Sequence, residues 1–195
     1  MRVIAGQYKR RQLKSPSWTG LRPTSDRLKQ TLFDVLAPRV PGARVLDGFA
    51  GSGALGIEAL SRGAVEVVFV DRDPRALALV AANLAQCGVT SGYVMIRGDF
   101  PGGLLQLPAV QQFDLILLDP PYEIDIAEAL VTAAGRLAVD GALVLEHAKR
   151  RPPPERVGPL TCRRRIVAGA SGLAFYGRTP TETGATGAGE ATEGS

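Results

Sequence analysis

Cysteine and histidine are scarce in this chain of 195 residues, which has two of the first and one of the second. Cys87 and Cys162 are too few and too far apart to read as a zinc site or a disulfide framework, so both are expected as reduced thiols and no metal is expected. Long apolar runs are lacking as well. None approaches the roughly 20 residues that span a bilayer, and the basic opening stretch from Met1 to Arg11 is not followed by the apolar block that a signal peptide requires. No membrane association is expected, and the cytoplasm is the expected compartment. What is present is ordinary for a globular protein. With 45% apolar and 22% charged residues, the chain can form one domain with a substantial core.

The formal net charge of +4 conceals a segregation. Residues 1–44 carry ten Lys or Arg against Asp26 and Asp34, a net of +8, which leaves −4 for the other 151 residues. A second basic cluster, Lys149, Arg150, Arg151, Arg156, Arg163, Arg164 and Arg165, is opposed only by Glu155. Segregated cations are the footprint of a polyanion partner, because each phosphate neutralised releases condensed counterions. Solvated surface charge is the plain alternative.

Three regions follow from the patterning. Residues 1–42 form a basic arm. Its residues 2–14 alternate short apolar and basic stretches around Gly6-Gln7, which predicts a β-hairpin. A helix follows, capped by Thr24, Ser25 or Asp26, with Leu28, Leu32, Val35 and Leu36 as its apolar stripe and Pro38 as its end. Residues 43–178 alternate strand and helix. Strands are predicted at Arg44–Asp47, Glu66–Val70, Tyr93–Arg97, Phe113–Leu118 and Gly141–Glu146, with helices at Ala54–Arg62, Pro74–Gln86 and Ile126–Leu137 and a weak one at Gly102–Val110. Arg163–Ala168 and Leu173–Tyr176 predict a closing hairpin. The fold class is therefore α/β, a mostly parallel seven-stranded sheet with helices on both faces, an antiparallel C-terminal hairpin and an N-terminal hairpin-and-helix extension. Ligands are expected at the carboxyl ends of the strands. Residues 179–195 contain only Thr, Gly, Ala, Glu, Ser and Pro, a composition expected to be disordered.

Two strand ends carry chemistry. Val45-Leu46-Asp47-Gly48-Phe49-Ala50-Gly51-Ser52-Gly53-Ala54-Leu55-Gly56 is a strand, a glycine-rich turn and the start of a helix, with Asp71 ending the next strand. Gly51, Gly53 and Gly56 also satisfy the dinucleotide pattern, so a pyrophosphate cofactor and S-adenosylmethionine compete for this turn. Asp47 favours the second, because a carboxylate repels a pyrophosphate and attracts a sulfonium and an α-ammonium group. The other strand end is Asp119-Pro120-Pro121-Tyr122. Two prolines in succession leave the carbonyls of Asp119 and Pro120 unclaimed by neighbouring amides, beside an aromatic face. A nucleobase with an exocyclic amino group uses both the acceptors and the stacking surface.

With these residues the chain resembles the Class I S-adenosylmethionine-dependent methyltransferases, and more narrowly the bacterial enzymes that modify guanine N2 in 16S ribosomal RNA. The resemblance spans residues 2 to about 177. It rests on Arg2-Val3-Ile4-Ala5-Gly6, on Leu21-Arg22-Pro23-Thr24-Ser25-Asp26-Arg27 leading to Thr31-Leu32-Phe33, on the glycine turn, on Glu58-Ala59-Leu60-Ser61-Arg62-Gly63-Ala64, and on Asp119-Pro120-Pro121-Tyr122. It implies a Rossmann-like fold with Asp47, Phe49, Gly51, Gly53, Asp71, Arg72, Asp99 and Phe100 around S-adenosylmethionine. Asp119, Pro120 and Tyr122 would hold the target base. Lys9, Arg10, Arg11, Arg22 and Arg27 would hold RNA, the partner being 16S rRNA or the small ribosomal subunit and the enzyme a monomer. Gly48 departs from the larger apolar residue common in the family and is expected to loosen packing beside the donor. His147 is expected as a surface or loop histidine without a catalytic role. An adenine-N6 DNA methyltransferase, a glutamine-N5 protein methyltransferase and a noncatalytic RNA-binding protein remain as alternatives.

Overall fold

A computed structural model of the protein describes residues 1–16, 26–121 and 124–179. Its frame is one eight-stranded sheet in the order β3-β2-β1-β4-β5-β8-β7-β6. β1 (Arg44–Asp47), β2 (Glu66–Asp71), β3 (Tyr93–Arg97), β4 (Phe113–Leu118) and β5 (Leu137–Ala148) are parallel neighbours. β8 (Ser171–Arg178) runs antiparallel to β5, and β7 (Leu160–Ala168) and the short β6 (Arg156–Val157) continue the antiparallel edge. The central strands are buried on both faces, as Val67-Val68-Phe69-Val70 and Leu115-Ile116-Leu117-Leu118 show. Such runs suit a sheet covered on both sides.

The covering layers follow from capping and apolar spacing. Helices α1 (Asp26–Leu36), α2 (Ala54–Ser61) and α3 (Pro74–Cys87) pack with Val45, Leu115, Val144 and Phe175 into one core. α4 (Ile126–Ala134) and a 3-10 turn at Gly102–Gln106 cover the other face, against Leu46, Val68, Ile116 and Leu118. Asp73 accepts from the Arg75 N–H and Asp125 from the Ala127 N–H, so each caps the helix that follows it. Among the described residues no helix is long and apolar enough to cross a membrane.

The sheet departs from the sequence pattern in three places. It has eight strands instead of seven, because β6 adds an edge to β7. The fourth helix ends at Ala134, and Leu137 pairs instead with Phe113 at the start of a twelve-residue β5. Among the described residues the arm forms no extended ladder: its two halves meet at one antiparallel bridge, Arg2 to Gln12, with the Val3 N–H donating to the Arg11 carbonyl, the Leu13 N–H to that of Met1 and the Arg10 N–H to that of Val3. The tip between the two halves is fastened to α2 instead. The Ile4 and Ala5 N–H groups donate to the Glu58 carboxylate at 2.7 and 3.0 Å, and those of Gln7 and Tyr8 donate to Ser61.

Glu58 is the hub that fastens the arm. It is 0% exposed, receives Arg62 Nε at 2.7 Å, and lies 3.4 Å from Lys29 Nζ, which is equally buried in α1 and donates to the Arg2 carbonyl. Gly6 closes against the end of α2 with φ +82°, and a Cβ built there falls 1.7 Å from the Ser61 carbonyl oxygen. Only glycine fits that approach. The arm thus shares its core with the sheet: Val3 and Leu13 are buried in the same cluster as Val45 and Leu115.

Candidate active site

The carboxyl ends of β3, β2, β1 and β4 stand side by side, and each is followed by one of the acids expected at the site. Asp47 ends β1, Asp71 ends β2, Gly98-Asp99-Phe100 follows β3 and Asp119-Pro120-Pro121 follows β4. Alternation along each strand sends the apolar residues into the two cores, so the polar chemistry collects at this rim. Between β1 and α2 the chain reverses through Gly51-Ser52-Gly53, with Gly53 as left-handed N-cap at φ +76°. Two carboxylates hold the reversal in shape. Asp71 accepts from the Gly51 N–H at 2.8 Å through one oxygen and from the Asp73 N–H at 2.9 Å through the other, while Asp47 accepts from the Gly56 N–H at 2.9 Å.

This arrangement separates the two ligands that the glycine pattern admits. The Gly51 N–H donates to Asp71, which sets a second carboxylate against the turn that a pyrophosphate would have to approach. Neither Asp47 nor Asp71 has a cationic side chain in ion-pair range among the described residues. Burial pushes the Asp47 carboxyl up to about 7, the Gly56 amide opposes this, and the nearby charge of Asp71 adds to it. A ligand bearing positive charge relieves that repulsion and a phosphate worsens it. Each carboxylate oxygen also keeps a second lone pair for a hydroxyl or ammonium donor. The residues fit S-adenosylmethionine.

Aromatic cover stands beside the acids. The half-buried Phe49 ring and the buried Phe100 ring lie 5.1 Å apart, tilted by 46°. Gly48 sits beneath them, and its role is the reverse of the one expected. A Cβ there falls 2.5 Å from Leu118 Cδ2 and 3.0 Å from Phe100 Cε2. Leu118 and Phe100 have closed over the vacancy, so Gly48 permits tight packing instead of loosening it. Asp99 and Arg72 are exposed at the rim, and the Asp99 carbonyl accepts from Gly103. Asp119 and Pro120 are half-buried, whereas Tyr122 lies outside the described residues.

Of the five cations expected to clamp RNA, four lie among the described residues. Lys9, Arg10 and Arg11 belong to the exposed turn that wraps the C-terminal end of α2 through Ser61. That end lies about one helix length, roughly 12 Å, from the glycine turn. Arg27 is exposed in the first turn of α1, and Arg22 lies outside the described residues. His147 also needs correcting. It is a buried residue of β5, 7% exposed, packed over Gly172, with Nδ1 2.9 Å from the Ala148 carbonyl.

Four polar residues carried no individual expectation: Lys29, Glu58, Ser61 and Asn83. Glu58, Ser61 and Arg62 recur at helical spacing within a stretch already singled out, which was the available signal. Asn83 had none. Fully buried in α3, it accepts from the Lys14 N–H at 2.8 Å and donates to the carbonyls of Lys14 and of Ser52, the latter at 2.9 Å in the glycine turn. One side chain thereby ties the arm to the reversal beside Asp71.

Residues 1–177 match the family described as conserved hypothetical protein 95. The Bacillus subtilis protein YlbH is 41% identical over 180 residues, covering 90% of this chain and 98% of its own. The ribosomal RNA small subunit methyltransferase D of Haemophilus influenzae is 39% identical over 156 residues, covering 78% of this chain and 81% of its own. Among solved structures the Escherichia coli protein yhhF superposes with a TM-score of 0.80 at 27% identity, covering 93% of this chain and 99% of that one.

Proposed function

The chain belongs to the conserved hypothetical protein 95 family, and on that premise we propose that it is an S-adenosylmethionine-dependent methyltransferase acting on the exocyclic N2 amino group of a guanine in 16S rRNA. The observation that carries the reading is the rim itself. Asp47 and Asp71, with no cation in ion-pair range among the described residues, flank the glycine turn, and Asp119-Pro120-Pro121 follows the adjacent strand. The name of the Haemophilus influenzae relative supports the ribosomal substrate. The cytoplasm is where such a substrate is met, and a monomer is sufficient.

S-adenosylmethionine, when bound, supplies a methyl group on a good leaving group, so the protein needs little acid–base chemistry. Its task is placement. Asp47 and Asp71 hold the ammonium and ribose groups at the end of the donor that carries the methyl, with Asp99, Arg72 and the Phe49–Phe100 pair at its other end. Asp119 and the Pro120 carbonyl accept the two amino protons of guanine, which points the nitrogen lone pair toward the donor and stabilises the positive charge that develops. Tyr122 stacks on the extruded base. The proton then leaves to Asp119 or to solvent.

The test is incubation with labelled donor and three substrates from a strain lacking the enzyme: 16S rRNA, assembling small subunits and mature small subunits. Label in N2-methylguanine is expected. Label only in N6-methyladenine or in protein overturns the reading, and absence of donor binding by folded protein favours a noncatalytic role.

A further inference from the structure

We infer that the RNA backbone next to the target base is held by a wall beside the catalytic turn, made of the end of β5 and the β7–β8 hairpin, and not by the basic turn of the N-terminal arm. The inference rests on the proposed rRNA substrate and assigns its contact surface.

The wall follows from the strand register. The last paired residue of β4, Leu118, stands opposite Leu145 of β5, and β5 continues through Glu146, His147 and Ala148 while staying paired with β8 down to Ser171. β7 keeps pace, with Ala168 opposite Ser171. At about 3.3 Å per residue, these three strands rise roughly 10 Å past the point where Asp119 begins. The crest of the wall is Lys149-Arg150-Arg151, all exposed. It is anchored by the Lys149 N–H donating to the Ala170 carbonyl at 2.8 Å and the Arg151 N–H donating to that of Ala148 at 2.9 Å. On the outer strand Arg164 and Arg165 are exposed, and Arg165 donates to the Pro153 carbonyl at 2.8 Å, tying the crest segment to β7.

Charge gives the wall a direction. None of these five cations is in an ion pair among the described residues, and the acids of the wall are the half-buried Glu146 on β5 and the exposed Glu155. On the opposite flank of Asp119 the rim carries Asp47, Asp71 and Asp99 beside the exposed Arg72, with Asp73 paired to Arg75, so acids predominate there. A polyanion is repelled from that flank and attracted to the wall, so a base can enter at Asp119 while its phosphates remain on Lys149, Arg150 and Arg151. Lys9, Arg10 and Arg11 stand instead beside the far end of α2.

The test compares two triple variants, Lys149→Ala/Arg150→Ala/Arg151→Ala and Lys9→Ala/Arg10→Ala/Arg11→Ala, in binding to a 16S rRNA transcript and to small subunits across a salt series. Each phosphate contact contributes about 0.7 to 0.9 to the slope of log affinity against log salt, so the wall variant should lose about 2 from that slope and at least about tenfold in affinity. Donor binding by calorimetry and the melting temperature should stay unchanged, since the crest is exposed and remote from Asp47. If wild type methylates guanine N2 while the wall variant keeps its slope, or loses no more than the arm variant, the wall assignment falls and the proposed function stands. If wild type neither binds nor labels rRNA, the proposed function falls and takes the wall with it. Equal competition by duplex DNA for the wall overturns its assignment to RNA.

Discussion

The protein contains two clusters of polar side chains packed into apolar surroundings, and they are finished differently. Around Glu58 the carboxylate is fully answered from within the chain, by Lys29, Arg62 and the backbone of Ile4 and Ala5. At the rim, Asp47 and Asp71 accept backbone amides that shape the glycine turn, yet no cation answers their charge among the described residues. A carboxylate saturated in this way does mechanical work, because removing it leaves buried cations uncompensated. An unsaturated one at strand ends is prepared for a ligand that completes it.

The contrast breaks most sharply at Asp119. Asp119→Ala should lower single-turnover methylation by roughly a hundred- to a thousandfold, the scale of one lost stabilising group in a transition state. Its donor dissociation constant should change little, and near-normal methylation would remove Asp119 from the site. The hub should respond in stability instead. Glu58→Ala, which strands Lys29 in the core, should reduce unfolding free energy by about 3–5 kcal/mol, read from the urea midpoint, and a loss below about 1 kcal/mol would show the cluster to be dispensable.

Asn83 lies between the two regions, since it bonds both the arm and Ser52. Asn83→Ala should lower stability by about 1–3 kcal/mol through its stranded partners and also weaken donor binding. A stability loss with unchanged donor affinity would place Asn83 wholly with the arm. The smallest effect concerns pH. Burial holds the Asp47 carboxyl up at about 7 in the folded protein against an ordinary value of 3.8, so the unfolded chain releases this proton first. Between those values the unfolded state binds fewer protons, and this group makes stability fall as pH rises, levelling off above about 7. Asp47→Asn should flatten that part of a denaturation series from pH 4 to 8. Donor affinity should weaken as pH drops below about 7, because the protonated carboxyl no longer attracts an ammonium group.

The residues at the rim were legible because the signals that place them are short in range. An apolar run buried on both faces must end where an Asp follows it, as at Leu46-Asp47, Val70-Asp71 and Leu118-Asp119, and a glycine turn followed by a helix fixes where the chain reverses. These patterns act within a dozen residues. By itself, then, the sequence determined the parallel sheet, the order of its strands and helices, and the acids at its carboxyl ends.

Tertiary structure decided the rest. Glu58 meets Ile4 across 54 positions, Asn83 meets Lys14 across 69, and Gly48 is required because Leu118 arrives from β4 and Phe100 from the turn after β3. It also spread the basic residues, sending Lys9 to Arg11 to one end of α2 and Lys149 to Arg151 to the crest beside Asp119. Local propensity cannot carry such information, since contacts between distant residues depend on how whole elements pack.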